Sequence, residues 1–199
     1  MKKIIILPWD GVFIDTLPAL HQSYLAAFRA VGDKRAETWN IITDTAERRG
    51  IYPKHNFKEV FGDNYEAARE AFYSTYDKEA KNLPLREGSL EFFEKAAIEY
   101  SLIVISAKGH SILAGEIWRT GVHLHLYHHV GSVGNPIWDK PHQGVVFRAI
   151  EGIEEIIPEE ILMIGKKKDA LIAKAAGIEF FPVCGDDDVI ANIANKLGI

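Results

Sequence analysis

Four short apolar runs, rich in β-branched or aromatic residues, constrain this chain more than any other feature. They are "IIIL" (4–7), "LIVIS" (102–106), "ILMIG" (161–165) and "EFFPV" (179–183). A run that is apolar throughout, rather than at every second position, suits a strand buried on both faces, as in a parallel sheet. Segments with helical spacing lie between the later runs. "GSLEFFEKAAIEY" (88–100) sets Phe92, Phe93, Ala96 and Ala97 on one face, with Ser89 placed to act as N-cap. "PHQGVVFRAIEGI" (141–153) and "DALIAKAAGI" (169–178) are also helical, the second closed by Gly177. Strand alternating with helix from residue 88 onward predicts the α/β class, with an open, Rossmann-like parallel sheet.

Residues 16–85 differ. "LPALHQSYLAAFRAVG" opens with Pro18 in a first helical turn and stops at Gly32, and "NYEAAREAFYSTYDKEA" (64–80) is a second amphipathic stretch. No strand pattern occurs between them. The expected organisation is an α/β core from 1–15 and 86–199, with a small all-helical cap over 16–85 inserted after the first strand. "NLPLREGS" (82–89) is the return linker, because Pro and Gly interrupt both periodicities.

The chain has 199 residues, 47% of them hydrophobic and 26% charged, an ordinary globular composition. A net charge of -5 argues against a dedicated nucleic-acid binder, which carries a basic excess. One cysteine, Cys184, excludes an intramolecular disulfide. "MKKIIILPWD" is too short in its apolar part for a signal peptide or a membrane span, so a cytoplasmic protein with no membrane partner is expected.

Ligands of open parallel sheets bind at the C-terminal ends of the strands. Those ends read Pro8-Trp9-Asp10-Gly11, Ser106-Ala107-Lys108-Gly109 and Gly165-Lys166-Lys167-Lys168-Asp169. The layout resembles the haloacid dehalogenase-like (HAD) superfamily, in its helical-cap branch of phosphoglycolate phosphatase-like and β-phosphoglucomutase-like enzymes. That family opens with Asp-x-Asp-Gly-Thr-x-x-Asp-Ser, and the aligned residues here are Pro8 to Thr16. Its second motif, a strand-end Ser or Thr, corresponds to Ser106. Its third, Lys-Pro before a helix, corresponds to Lys140-Pro141. Its fourth, Gly-Asp-Ser-x-x-Asp running into an Ala-rich helix, corresponds to "GKKKDALIAKAAG", with Lys166 on the first acid, Asp169 on the last, and the loop one residue short.

The resemblance implies a chemistry that these residues do not complete. The family's first aspartate attacks phosphorus, which needs a carboxylate at that position. A divalent metal, usually magnesium, is held by that carboxylate, by a backbone carbonyl at the second aspartate and by the first acid of the fourth motif. Pro8 has no nucleophilic side-chain atom. Lys166 sets an amine where a cation is coordinated, and two like charges about 4 Å apart repel by roughly 4 kcal/mol at an effective dielectric of 20. The expectation is a dismantled phosphatase site that uses no metal cofactor. Asp10 keeps the acid/base position as a vestige, Asp169 the outer metal-site acid. Ser106, Lys140 and Lys166 are the candidate phosphate-binding groups, and the ligand expected for them is a small phosphorylated molecule or an inorganic anion. Each has a plainer role open to it: Ser106 bonded to backbone, Lys140 paired with an acid, Lys166 paired with Asp10 or Asp169 to hold the loop shut. Asp15 is expected to contact backbone near the start of the cap.

Other features are read in structural terms first. "VHLHLYHHV" (122–130) holds His-x-His, which on a strand puts two imidazoles on one face as a zinc or nickel pair, or simply forms a polar face. Asp186 to Asp188 suit a cap for the last helix. "GKKKD" is not a P-loop, since the upstream glycine is missing and Lys167 stands where Ser or Thr belongs. Trp9, Trp39, Trp118 and Trp138 read as core or interface residues, Trp9 alternatively as crowding the pocket mouth. Three functions fit: a non-catalytic binding or regulatory protein, a metal-independent phosphatase-like hydrolase, or an assembly protein working through its cap.

Overall fold

A computed structural model describes residues 3–38, 57–131, 144–153, 156–183 and 188–199. The chain divides into two compact units, Thr16–Leu83 and the combination of Met1–Asp15 with Pro84–Ile199. The Thr16–Leu83 unit contains α1 (Leu17–Ala30), α2 (Phe57–Phe61) and α3 (Tyr65–Ala80). Its core is aromatic: Tyr24 and Phe28 of α1 pack with Phe57, Phe61 and Phe72. Tyr24 meets Phe72 edge-on with ring centroids 4.8 Å apart, a favoured arrangement of ring quadrupoles. Arg35 lies 4.6 Å above the Phe28 ring and forks onto Asp33, so its cation is held on both sides.

The other unit is built on five strands, β1 (Ile4–Pro8), β2 (Ser101–Ser106), β3 (His128–Gly131), β4 (Ile161–Gly165) and β5 (Glu179–Pro182). All pairs are parallel and the order is β3-β2-β1-β4-β5. The helices are α4 (Ser89–Glu99), α5 (His110–Arg119), α6 (Gly144–Ala149), α7 (Ala170–Ala176) and α8 (Val189–Leu197). Every residue of β1 and β4 is buried, as uniformly apolar runs require. On one face Ile4, Ile6, Ile103, Ile105 and Met163 pack against Val145, Val146, Ile172 and Ala173 of α6 and α7. The period of two turns Ile5, Leu7, Leu102 and Val104 to the opposite face, where they are equally dry.

The α/β class stands, with several local differences. β3 is a fifth strand that lacked an apolar run: two of its four residues are histidines, which an outermost strand with one neighbour tolerates. The His-x-His segment is therefore not on a strand; Val122–His125 is a short 3-10 turn, and β3 starts three residues later. The N-cap of α4 is Gly88 rather than Ser89, whose hydroxyl is buried without a hydrogen-bond partner. α6 is shorter than the 141–153 expectation, closing through a turn at 150–152; residues 141–143 lie outside the described residues. Asp188 is the N-cap of α8 but makes no side-chain capping bond, and Asp186 and Asp187 lie outside the described residues. Trp118 is 63% exposed and stacked on His123 at 3.9 Å, so it is not a core residue; Trp39 and Trp138 are outside the described residues.

Proline inside a central strand is normally excluded, because it removes a ladder hydrogen bond. Pro8 escapes by position. The N–H groups of a strand alternate between its two neighbours, and the Trp9 N–H points to β2, donating to the Ile105 carbonyl at 3.0 Å. The absent Pro8 N–H therefore falls on the β4 side, where registered pairs stop at Ile6–Met163.

Candidate functional site at the strand ends

The loop after β1 closes on itself. Gly11 adopts φ +71°, a conformation that costs a residue with a Cβ about 1–2 kcal/mol, and its N–H donates to the Ile14 carbonyl at 2.7 Å. The Phe13 and Ile14 N–H groups both reach back to the Trp9 carbonyl. This turn buries Trp9 completely and leaves Asp10 partly open, aimed at the end of β2.

There Asp10 is held on both oxygens. The Ser106 hydroxyl donates to Oδ2 at 2.5 Å, and the Lys108 ammonium lies 3.0 Å from Oδ1. Ser106 Oγ in turn accepts the Lys108 backbone N–H at 3.0 Å. Lys108 is buried and its ammonium also meets both Glu116 oxygens, at 2.6 and 2.8 Å. Glu116, on the inward side of α5 and 5% exposed, takes a further bond from the Trp9 indole N–H at 2.6 Å. One polar chain thus runs Ser106–Asp10–Lys108–Glu116–Trp9 across the ends of two strands and into a helix. Buried charges of this kind persist only when each is paired and hydrogen-bonded.

The third strand end contributes differently. Asp169 is 3% exposed, and its Oδ2 accepts the Lys166 backbone N–H at 3.0 Å while its own N–H donates to the Lys166 carbonyl at 2.7 Å. The carboxylate caps its own 3-10 turn. The Lys166 side chain, half-buried, passes over Gly11: a Cβ on that glycine would fall 2.3 Å from Nζ. The Lys166 backbone N–H closes its loop on Asp169, and the Lys108 ammonium pairs with Asp10. Lys167 is exposed. Lys140 lies outside the described residues. Asp15 sits 3.6 Å from the Arg86 guanidinium. Among the described residues no three His, Cys, Asp or Glu side chains are grouped so as to hold a metal ion, and no helix is long and apolar enough to cross a membrane.

Lys108, Glu116 and the Trp9 N–H are the members that reading the sequence did not single out. A signal existed for one of them. Leu113 and Ile117 are the buried face of α5, and Glu116 falls on the same stripe, where an acid implies a buried cation partner. Trp9→Phe removes the donor from a buried carboxylate. It is expected to lower unfolding free energy by roughly 1–3 kcal/mol in urea titration, the usual range for one lost buried partner.

A parallel sheet in this order, with an acid, a hydroxyl and lysines gathered at the strand ends, defines a Rossmann-like protein, and strand ends are where sheets of this kind take ligands. The sequence model of the haloacid dehalogenase-like hydrolases matches residues 5–183, and the chain belongs to that family. No curated protein matches it by sequence. Among solved structures it is similar to a haloacid dehalogenase-like hydrolase from Streptococcus pneumoniae, with 18% identity and a TM-score of 0.74 over 96% of this chain and 90% of that one. A candidate β-phosphoglucomutase from Thermotoga maritima aligns at 17% identity and TM-score 0.65, over 97% and 99% of the two chains. A candidate phosphoglycolate phosphatase from Lactobacillus plantarum aligns at 16% and 0.71, over 90% and 86%. At such identities the likeness is one of fold.

Proposed function

We propose that this haloacid dehalogenase-like protein is a non-catalytic binding or regulatory member of its family, retaining groups suited to a small phosphate-like anion. The observation that carries the reading is the pairing of Pro8 at the tip of β1 with the Lys166 amine against Gly11. An aspartyl-phosphate cannot form on a pyrrolidine ring. The donor set does not fit magnesium either. Of the three ligands the family resemblance implies, two side chains are replaced, one by a ring without oxygen and one by a cation that repels a metal. Asp10 supports the same reading from another direction, since both its oxygens are already engaged by Ser106 and Lys108.

A second reading has its own support. Asp10, Ser106 and Lys108 form a carboxylate, hydroxyl and ammonium in mutual contact, an arrangement in which an acid/base and a fixed positive charge sit side by side. On that reading the protein hydrolyses a small phosphate monoester without metal, and the activity survives chelators. The test is a phosphomonoester panel assayed with magnesium, with chelator, and with Asp10→Asn. Turnover of the wild type at the level of the Asp10→Asn variant and the protein-free blank, in both conditions, is the expected result. Chelator-resistant hydrolysis lost in Asp10→Asn establishes the second reading, and magnesium-dependent hydrolysis overturns both.

A further inference from the structure

The strand-end site uses none of the histidines of residues 122–130. Two of them, His128 and His129, lie on β3, the outermost strand beside β2. A cavity of about 120 Å³ opens there, lined by His110, His128, His129, Val130, Gly131 and Arg148. His110, the first residue of α5, lies flat on His129, with ring centroids 4.8 Å apart and planes 8° from parallel. His128 is 6.0 Å from His129. Arg148 comes from α6 and is ion-paired with Glu151. Of the elements packed on β3, β2 brings no titratable side chain, and α5 adds Glu116, engaged with Lys108 and Trp9, and Arg119.

Two chemistries compete for such a lining. A transition metal needs imidazole nitrogens converging at about 2.1 Å. Near-parallel stacked rings aim their lone pairs along separate planes, and the Arg148 guanidinium opposes a cation. An oxyanion fits better. Among the described residues no carboxylate lines the cavity, and every polar side chain that does is a donor or becomes one on protonation. His129 Nε2 is buried without a hydrogen-bond partner. A guanidinium matches two oxygens of a tetrahedral anion at once. The space accommodates one such ion.

We propose that His110, His128, His129 and Arg148 form a second anion site at the β3 edge, taking a phosphate group either as the free ion or as the end of a monoester. It does not depend on how the Asp10 network is read. Burial, with Arg148 and His110 nearby, holds His128 below the usual imidazole range; burial, His110 and His128 do the same to His129. These two imidazoles therefore resist protons that the unfolded chain accepts near about pH 6.5, so stability falls as pH drops through that value. A bound anion supplies the missing counter-charge, and its affinity rises as pH falls.

The test is a titration of the full chain with inorganic phosphate, followed by imidazole nitrogen NMR and calorimetry at about pH 6 and about pH 8, either side of the ordinary imidazole value. His110, His128 and His129 signals are expected to move together, with affinity about tenfold higher at the lower pH. Arg148→Gln, a half-exposed position, should weaken binding about tenfold or more, as loss of a charge-assisted fork does. Lys174→Met, which removes an exposed charge on α7, should leave it unchanged, and the imidazole signals report this site apart from the strand-end site. A parallel titration with glucose 6-phosphate distinguishes the sources: equal binding points to a monoester, binding of the free ion alone to inorganic phosphate. Imidazole signals that ignore phosphate at both pH values, a response untouched by Arg148→Gln, or displacement of phosphate by stoichiometric zinc each overturn the proposal.

Discussion

Lys108→Met is expected to lower the unfolding free energy by about 3–5 kcal/mol, the range for removing one partner of a buried ion pair. The reason is what stays behind. Glu116 is 5% exposed and keeps the Trp9 N–H as its donor among the described residues, while Asp10 keeps Ser106. Methionine fills the space of the lysine stem but leaves an uncompensated carboxylate in a dry site. The same logic says that removing both charges costs less than removing one. The double variant Lys108→Met, Glu116→Gln therefore regains about 1–3 kcal/mol, a coupling typical of groups in one network. Guanidinium titrations of the four members of the cycle measure this directly. A single-variant loss below about 1 kcal/mol would mean that the network behaves as a solvated surface pair.

Gly131→Ala is the second large effect, expected at about 3 kcal/mol, the upper end for an overpacked contact. A Cβ on Gly131 would lie 2.6 Å from both the nitrogen and the Cα of His110, and 2.7 Å from the Lys108 carbonyl oxygen. These are backbone atoms at the start of α5, with no flexible side chain to give way. The end of β3 must then separate from the turn that carries Ser106 and Lys108, so thermal melting should fall together with the contacts around Asp10. Gly115→Ala is the control. Nothing lies within 4 Å of its new Cβ, and the site is inside α5, so helix propensity predicts a gain of up to about 1 kcal/mol. Equal losses for the two variants would show that the close approach at Gly131 is not what limits the position.

What could be read from the residues follows the range of the interactions. β1, β2, β4 and β5 are apolar runs, a local property, and all four lie where those runs stand. β3 is held by its register with β2, from Ile103–His128 to Ser106–Gly131, and two histidines hid it. Motif order brought Asp10 and Ser106 to neighbouring strand ends, and the structure sets them in hydrogen-bonding contact. The Lys108–Glu116 pair was out of reach, because it depends on which turn of α5 faces the loop after β2. Lys166 illustrates the same limit: its place at the end of β4 follows from the apolar run before it, but the path of its side chain over Gly11 is a tertiary fact.

The sheet's margins carry a consequence for self-association. β3 and β5, the outermost strands, are four residues each. One presents paired imidazoles, and the other runs from a glutamate to a proline whose ring offers no donor. Short rims of this kind, one bearing imidazoles and the other ending in proline, are poor templates for a neighbouring molecule's backbone, so concentrated solutions should resist fibril growth seeded through the sheet.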